Sequence, residues 1–190
     1  MILATIGLSL LWVFVAVLAF RVGRYITTPL FKRLGLYRYY SPMFFTQPFG
    51  SGRLELHLGT TWDFFGQKNV SQQILLSHLG VGIKGLLDAI RAGEVPMDTK
   101  LRGTMYFLSS HTIERFGFVV RKPLPLEYVA FLSNYIEICL LQSIVRRRLS
   151  FIDIRKVRMI NATARDLVEN ENSLNSAIKR VTTPRNVVTS

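Results

Sequence analysis

The sequence predicts a small α/β or α+β domain carried behind one N-terminal transmembrane helix. Three observations predict it. Residues 2–20 carry no charged side chain. Residues 53–58, RLELHL, alternate polar and apolar side chains. Beyond them, apolar stripes at helical spacing take turns with short β-type runs, as a sheet packed with helices requires.

The anchor comes first. At 1.5 Å per residue a helix over 2–20 covers on the order of 30 Å, the thickness of the bilayer hydrocarbon. A helix is the one way for a single segment in lipid to satisfy its own backbone. The rival is a cleaved signal peptide, with Val17 and Ala19 as its small-residue site. Such a peptide starts with a basic region, and no Lys or Arg precedes this apolar stretch. Arg21, Arg24, Lys32, Arg33 and Arg38 follow it with no acid among them. The positive-inside rule then predicts a single-pass protein of the inner membrane with its C-terminal domain in the cytoplasm. The expected organisation is an anchor at 1–23, a basic aromatic segment at 24–52, a domain at 53–181 and a loose tail at 182–190. Around Pro29, residues 25–40 alternate basic, aromatic and apolar side chains and read as a segment lying on the headgroups.

Within the remainder, Pro42, Pro48, Gly50 and Gly52 mark 41–52 as a loop. The strand at 53–58 puts Leu54, Leu56 and Leu58 on one face and Arg53, Glu55 and His57 on the other. A loop is expected at 59–66. Ser71 caps a helix that runs to about Ala92 and stops at Gly93. Leu75, Leu79, Leu86 and Ile90 form its apolar stripe, and Gly80, Gly82 and Gly85 sit in its middle. Each glycine costs about 0.8–1 kcal/mol relative to Ala, so three of them point to a close approach to a sheet.

A second strand is expected at 101–108. Ser109 or Ser110 caps a short helix ended by Gly117, and a third strand follows at 118–120. Pro123 and Pro125 then break the chain. The long apolar helix over 126–145 contains Glu127 and Glu137, which are costly in lipid, so it reads as a core helix or one lying against the membrane. Arg146, Arg147 and Arg148 close it at the negative end of its dipole. A fourth strand is expected at 157–162 and a last helix at 164–180.

The formal net charge of +12 in 190 residues invites either nucleic acid or an anionic leaflet. Beside a transmembrane helix the leaflet is the simpler partner, so membrane lipids, anionic ones first, are expected and nucleic acid is not. The single cysteine, Cys139, excludes an internal disulfide and any site built from several thiolates. Lying in an apolar run, it reads as a small buried hydrophobe.

The familiar phosphate-cradling, dinucleotide, zinc-protease and serine-hydrolase signatures are absent from the sequence. What remains is a set of polar residues at element ends. His57, Asp63, His111 and Glu114 would make a general acid–base pocket if the first strand's end met the short helix. The same residue types can hold a divalent metal, but their spacing is not that of a metal site, and neither metal nor cofactor is expected. The plainer reading makes Ser110 a cap and His57 an exposed strand residue. Two basic groups suit phosphate, because the planar arginine fork donates two parallel hydrogen bonds. They are Arg21, Arg24, Lys32 and Arg33 beside the anchor, and Arg146, Arg147, Arg148, Arg155, Lys156 and Arg158 further on. Both are expected to face one headgroup plane.

Three stretches, LELHL from Leu54, LLSHLGVGIKGLLDAI, and LRGTMYFLSSHTIERFGFVV from Leu101, resemble the YkoP-like domain, a bacterial domain found alone or fused to polysaccharide deacetylases. His57 matches its LHL histidine, Gly103 and Thr104 its G-T pair, and Glu114, Gly117 and Phe118 the end of its short helix. Phe116 replaces the usual Leu, and Gly59-Thr60-Thr61 stands where the family often has Asn-Glu. The resemblance covers residues 53–120. It implies a strand–helix–strand–helix unit and an association with envelope lipid or glycan chemistry. The function expected is a membrane-tethered accessory or binding domain. The alternatives are a small enzyme on a lipid-linked substrate, and a scaffold whose 126–145 helix packs on a membrane protein partner.

Overall fold

The computed structural model describes residues 2–67 and 69–182. It divides into two units, residues 1–36 and 37–190, each built around its own contacts.

The first unit is one helix, α1 (Ile2–Arg33). Its segment Thr5–Arg33 is long and apolar enough to span a membrane, with a mean hydropathy of 2.2 over an 18-residue stretch within it. The helix does not stop where the charges begin. Residues 25–33, part of the stretch expected to lie on the headgroups, continue it through Pro29, and it ends before Gly35 at φ 72°. Proline removes one backbone donor here. The hydroxyls of Thr27 and Thr28 donate to the carbonyls of Gly23 (2.9 Å) and Arg24 (2.8 Å) just upstream, adding bonds in that turn.

The second unit is a six-stranded mixed sheet with helices. Its strands are β1 (Arg38–Ser41), β2 (Phe44–Pro48), β3 (Arg53–Leu58), β4 (Lys100–Met105), β5 (Val119–Arg121) and β6 (Arg158–Thr163), in the order β1-β2-β3-β4-β6-β5. Only β3 and β4 pair in parallel; the other neighbours are antiparallel. A parallel pair needs a crossover, and α2 (Thr61–Gly66) with α3 (Gln72–Arg91) supplies it.

Residues 41–52 are not the expected loop. Pro42 and Met43 turn a hairpin, β1 to β2, and Gly50 and Gly52, at φ 75° and 62°, turn β2 into β3. The aromatic run around them is strong strand material, and both prolines fall where no ladder bond is lost. The domain therefore begins at Tyr37, and the juxtamembrane segment expected at 24–52 splits between helix and sheet. The stretch expected as a loop at 59–66 holds α2, closed by a capping box in which Thr60 and Asp63 bond each other's backbone.

The core lies between one sheet face and α3, α4 (Ser110–Glu114), α7 (Ala164–Glu169) and α8 (Glu171–Thr182). Phe44, Leu101 and Ile160 from the sheet meet Leu86, Leu87, Ile113, Leu167 and Leu174 from the helices. α3 is also long and apolar enough to span a membrane, but its stripe is spent on packing: Leu79 to Ile90 in this core, and Leu75 in a smaller cluster with Met43, Phe64, Val70 and Val145. The single helix expected at 164–180 breaks at Asn170, the cap of α7. The helix expected at 126–145 is two, α5 (Pro125–Ser133) and α6 (Tyr135–Arg146), bent by 60° at Asn134. Of the expected tail at 182–190, all but its first residue lies outside the described residues.

Candidate functional site

Strand pairing builds one chemically distinctive surface. Side chains alternate across a sheet, so the register that puts Leu54, Leu56 and Leu101 in the core puts Glu55, His57, Arg102, Thr104 and Asn161 on the opposite face. His57 stacks on Phe45 of β2, with ring centroids 5.0 Å apart and planes 16° apart. Phe45 stacks in turn on Tyr39 of β1 at 4.9 Å. The Tyr39 hydroxyl donates to Asp63 at 2.7 Å. Burial first, and this bond second, push the Tyr39 phenol above its ordinary range.

Glu55 sits between the His57 imidazole and the Arg102 guanidinium. One carboxylate oxygen is 3.5 Å from His57 Nε2 and the other 3.8 Å from Arg102 Nε. Both distances are long for hydrogen bonds, and both nitrogens are enclosed without a hydrogen-bond partner. The Arg102 guanidinium also lies over the Phe49 ring at 4.8 Å. Arg121, on the same face, makes a two-pronged bond to Glu127 at the start of α5. This face offers paired charges on an aromatic bed, which suits polar recognition.

The four residues expected as an acid–base pocket do not form one. Asp63 caps α2, accepting from Thr60 N and Oγ1, both at 2.8 Å. His111 and Glu114 are exposed on α4. α4 belongs to the helical layer, since its Ile113 is in the core, whereas the His57 side chain points to the other face of the sheet. Among the described residues no group of three or more His, Cys, Asp or Glu converges closely enough to hold a metal ion. Ser109 caps α4 by accepting from Thr112 N at 3.2 Å.

Inside the core is a cavity of about 40 Å³, walled by Phe44, Leu79, Ile83, Ile113, Phe116 and their neighbours. Small-molecule pockets run to about 300–1,000 Å³. His57 and Thr104 contribute to its wall; since their side chains face away, they do so as strand backbone. Its lining is mostly apolar, as in a packing void. No family model, curated protein or solved structure matches this chain. The candidate surfaces therefore stand on their own geometry.

The basic residues of the domain have separate fates. Arg158 is a structural tie, its Nη1 donating to the carbonyls of Arg155 (2.6 Å) and Val157 (2.8 Å). With the Gln142 amide turned to satisfy both groups, its oxygen accepts from Arg146 Nε at 2.7 Å. Arg147 caps α6 in the left-handed conformation, φ 52° and ψ 28°. Arg148, Arg155 and Lys156 are exposed. Arg21, Arg24, Lys32 and Arg33 all lie on α1.

Sequence reasoning missed how residues 149–153 fold back along α6. Tyr135, Cys139 and Ser143 form one stripe of that helix, four residues apart. The Tyr135 hydroxyl donates to Ile152 O at 2.9 Å, Ile152 N to Cys139 Sγ at 3.5 Å, and Ser150 N to Ser143 Oγ at 2.9 Å. Phe131, Cys139, Ile152 and Val157 make a small core beneath, against Tyr106. Burial, with Cys139 alongside, pushes the Tyr106 phenol up to about 12. The only trace of this in the sequence is the i, i+4, i+8 spacing of three small or polar side chains on an apolar helix.

Proposed function

We propose that this chain is a membrane-tethered accessory domain that binds anionic lipid at the cytoplasmic leaflet, in the lipid or glycan metabolism of a bacterial envelope. One observation carries the tether: α1 is a candidate span whose charge-free stretch, residues 2–20, is followed on the same helix by Arg and Lys with no acid among them, the pattern that keeps a flank in the cytoplasm. Binding is favoured over catalysis by where His57, Asp63, His111 and Glu114 stand. They are divided between a stacked strand residue, a helix cap and an exposed helix face. The envelope setting draws on the likeness of residues 53–120 to the YkoP-like domain.

A second reading has one observation behind it. Ile136, Leu140 and Ile144 form an exposed apolar stripe on α6, which a membrane protein partner would bury.

The test uses the full chain. It should stay in the membrane pellet through alkaline carbonate, and native mass spectrometry from mild detergent should show bound anionic phospholipid. Release by carbonate would overturn the tether. A clean protein mass would overturn lipid binding, and a stoichiometric protein partner would favour the second reading.

A further inference from the structure

We propose that the outward face of α6, with the segment folded back along it, is a second membrane contact that lies in the headgroup region of an anionic bilayer. This deepens the lipid-binding reading and rests on it. Four observations support it.

The surface is apolar and out of the core. Ile136, Leu140 and Ile144 are 75%, 58% and 43% exposed at i, i+4 and i+8. The returning segment alternates: Ser150 and Ile152 turn in, while Leu149 and Phe151 stay 77% and 69% exposed. Each row stands one residue from the bonds that tie the segment to the helix, which join Ser143 to Ser150 and Cys139 and Tyr135 to Ile152. Monomeric soluble proteins rarely leave so contiguous an apolar patch bare.

The surface is framed by positive charge. Arg146, Arg147 and Arg148 stand at the C-terminal end of α6, and all three are exposed. The antiparallel return carries Arg155 and Lys156 back toward its N-terminal end, roughly 16 Å away at 1.5 Å per residue. Basic residues close to an anionic surface are drawn to it. An amphipathic element with apolar and cationic side chains on its outer face lies in the plane of the interface.

The acids near it are engaged. Glu127 takes the bidentate bond from Arg121, Glu137 accepts from Thr61 of α2, and Asp153 caps the 3-10 turn Ile154–Lys156. These engagements also argue against α5 and α6 crossing the bilayer as one bent span. Both helices bury side chains in the domain, Phe131 from α5 and Cys139 and Val145 from α6.

Last, Arg147 is the only non-glycine residue with positive φ among those described. Glycine would fill that cap without strain, whereas an L side chain there is disfavoured by its Cβ. A cation held at that cost fits a place where charge is used.

A bilayer accounts for both the apolar strip and its basic ends, which is why it is preferred to a protein partner. The test uses the full chain in a Cys139→Ser background. Single cysteines at Leu140, Phe151 and, as control, Asp88 on the exposed side of α3 carry an environment-sensitive fluorophore. The chain is reconstituted into phosphatidylcholine vesicles with or without phosphatidylglycerol. Labels at 140 and 151 should shift to the blue and be quenched by nitroxide lipid in the anionic vesicles. The label at 88 should do neither, and Arg146→Ala with Arg147→Gly and Arg148→Ala should largely abolish the shift. Labels at 140 and 151 that stay water-exposed while carbonate leaves the chain in the membrane would overturn the contact and spare the tether. A chain that carbonate releases but whose labels still enter anionic vesicles would overturn the tether and keep the contact. Labels buried yet blind to nitroxide lipid would mean a protein neighbour and overturn the proposal.

Discussion

Glu127 accepts two parallel hydrogen bonds from Arg121, at 2.6 and 2.7 Å, and a third from Leu124 N at 2.8 Å. The first turn of α5 is thereby fixed to the edge strand β5, on the polar side of the sheet. The Arg121 bond above all holds the Glu127 carboxyl at about 2, against an ordinary 4.5. The folded state thus binds this proton more weakly than the unfolded one. Its contribution is complete above pH 4.5 and is lost as the pH falls through 4.5 toward about 2. Glu127→Gln should cost about 1 kcal/mol near neutrality, discounted for solvent, and flatten the acid limb. Thermal unfolding in mild detergent from pH 2 to pH 7 measures both; parallel acid limbs in the two proteins would show that other groups set it.

Asp63 has a structural part that a catalytic reading would not give it. Its carboxylate closes the α2 capping box and takes the Tyr39 hydroxyl from β1. Asp63→Ala removes a cap and leaves a half-buried phenol without that acceptor, and should cost about 1–2 kcal/mol. Asp63→Asn keeps one oxygen and should lose less. Denaturant midpoints separate the two, and an unchanged midpoint for Asp63→Ala would refute the role.

Ser143 is the clasp of the folded-back segment. Its hydroxyl accepts from Ser150 N at 2.9 Å and donates to Cys139 O at 2.7 Å. Ser143→Ala strands a buried donor, since Ser150 is only 8% exposed, and should cost about 1–3 kcal/mol. Hydrogen exchange should show the amides of Ser150 and Ile152 losing protection first. Protection unchanged there would mean that packing of Ile152 alone holds the segment.

The sequence was most legible where periodicity was strict. The alternation of residues 53–58 placed β3 and both of its faces, and the Ser71 cap and Gly93 stop bounded α3, because each rests on local chemistry. The hairpin before β3 was hidden by Pro42 and Pro48, which read as loop punctuation; the aromatic content of residues 37–45 was the better signal. The 60° bend at Asn134 has no proline or glycine to announce it. It is set by tertiary contacts, α5 held to β5 by Glu127 and α6 to α2 by Glu137. The candidate site was half legible. The polar face of β3 named His57 and Glu55, but Phe45 and Arg102 reach them through strand pairing, which no single segment encodes. His111 and Glu114 were grouped with His57 by polarity, and the sheet lies between them.

The glycines of α3 were read as a close approach to a sheet, and the structure gives that approach a dimension. A Cβ built on Gly82 would lie 2.4 Å from both Cβ and Cδ1 of Phe44, a residue of β2 that is 2% exposed. The near end of a buried side chain cannot swing aside, so the helix or the strand would have to move. On Gly85 the closest atoms are Tyr40 Cβ and carbonyl oxygen at 3.2 Å, a contact that a few tenths of an ångström relieve. Helix propensity alone favours Ala over Gly by about 1 kcal/mol at both positions. Overpacking of about 1–3 kcal/mol should outweigh it at Gly82 and roughly cancel it at Gly85. Gly82→Ala should therefore lower the unfolding midpoint clearly and Gly85→Ala little. The order matters more than either value. If Gly82→Ala proved neutral or stabilising, α3 would not pass over Phe44 this closely, and the packing of the helical layer on β2 would have to be redrawn.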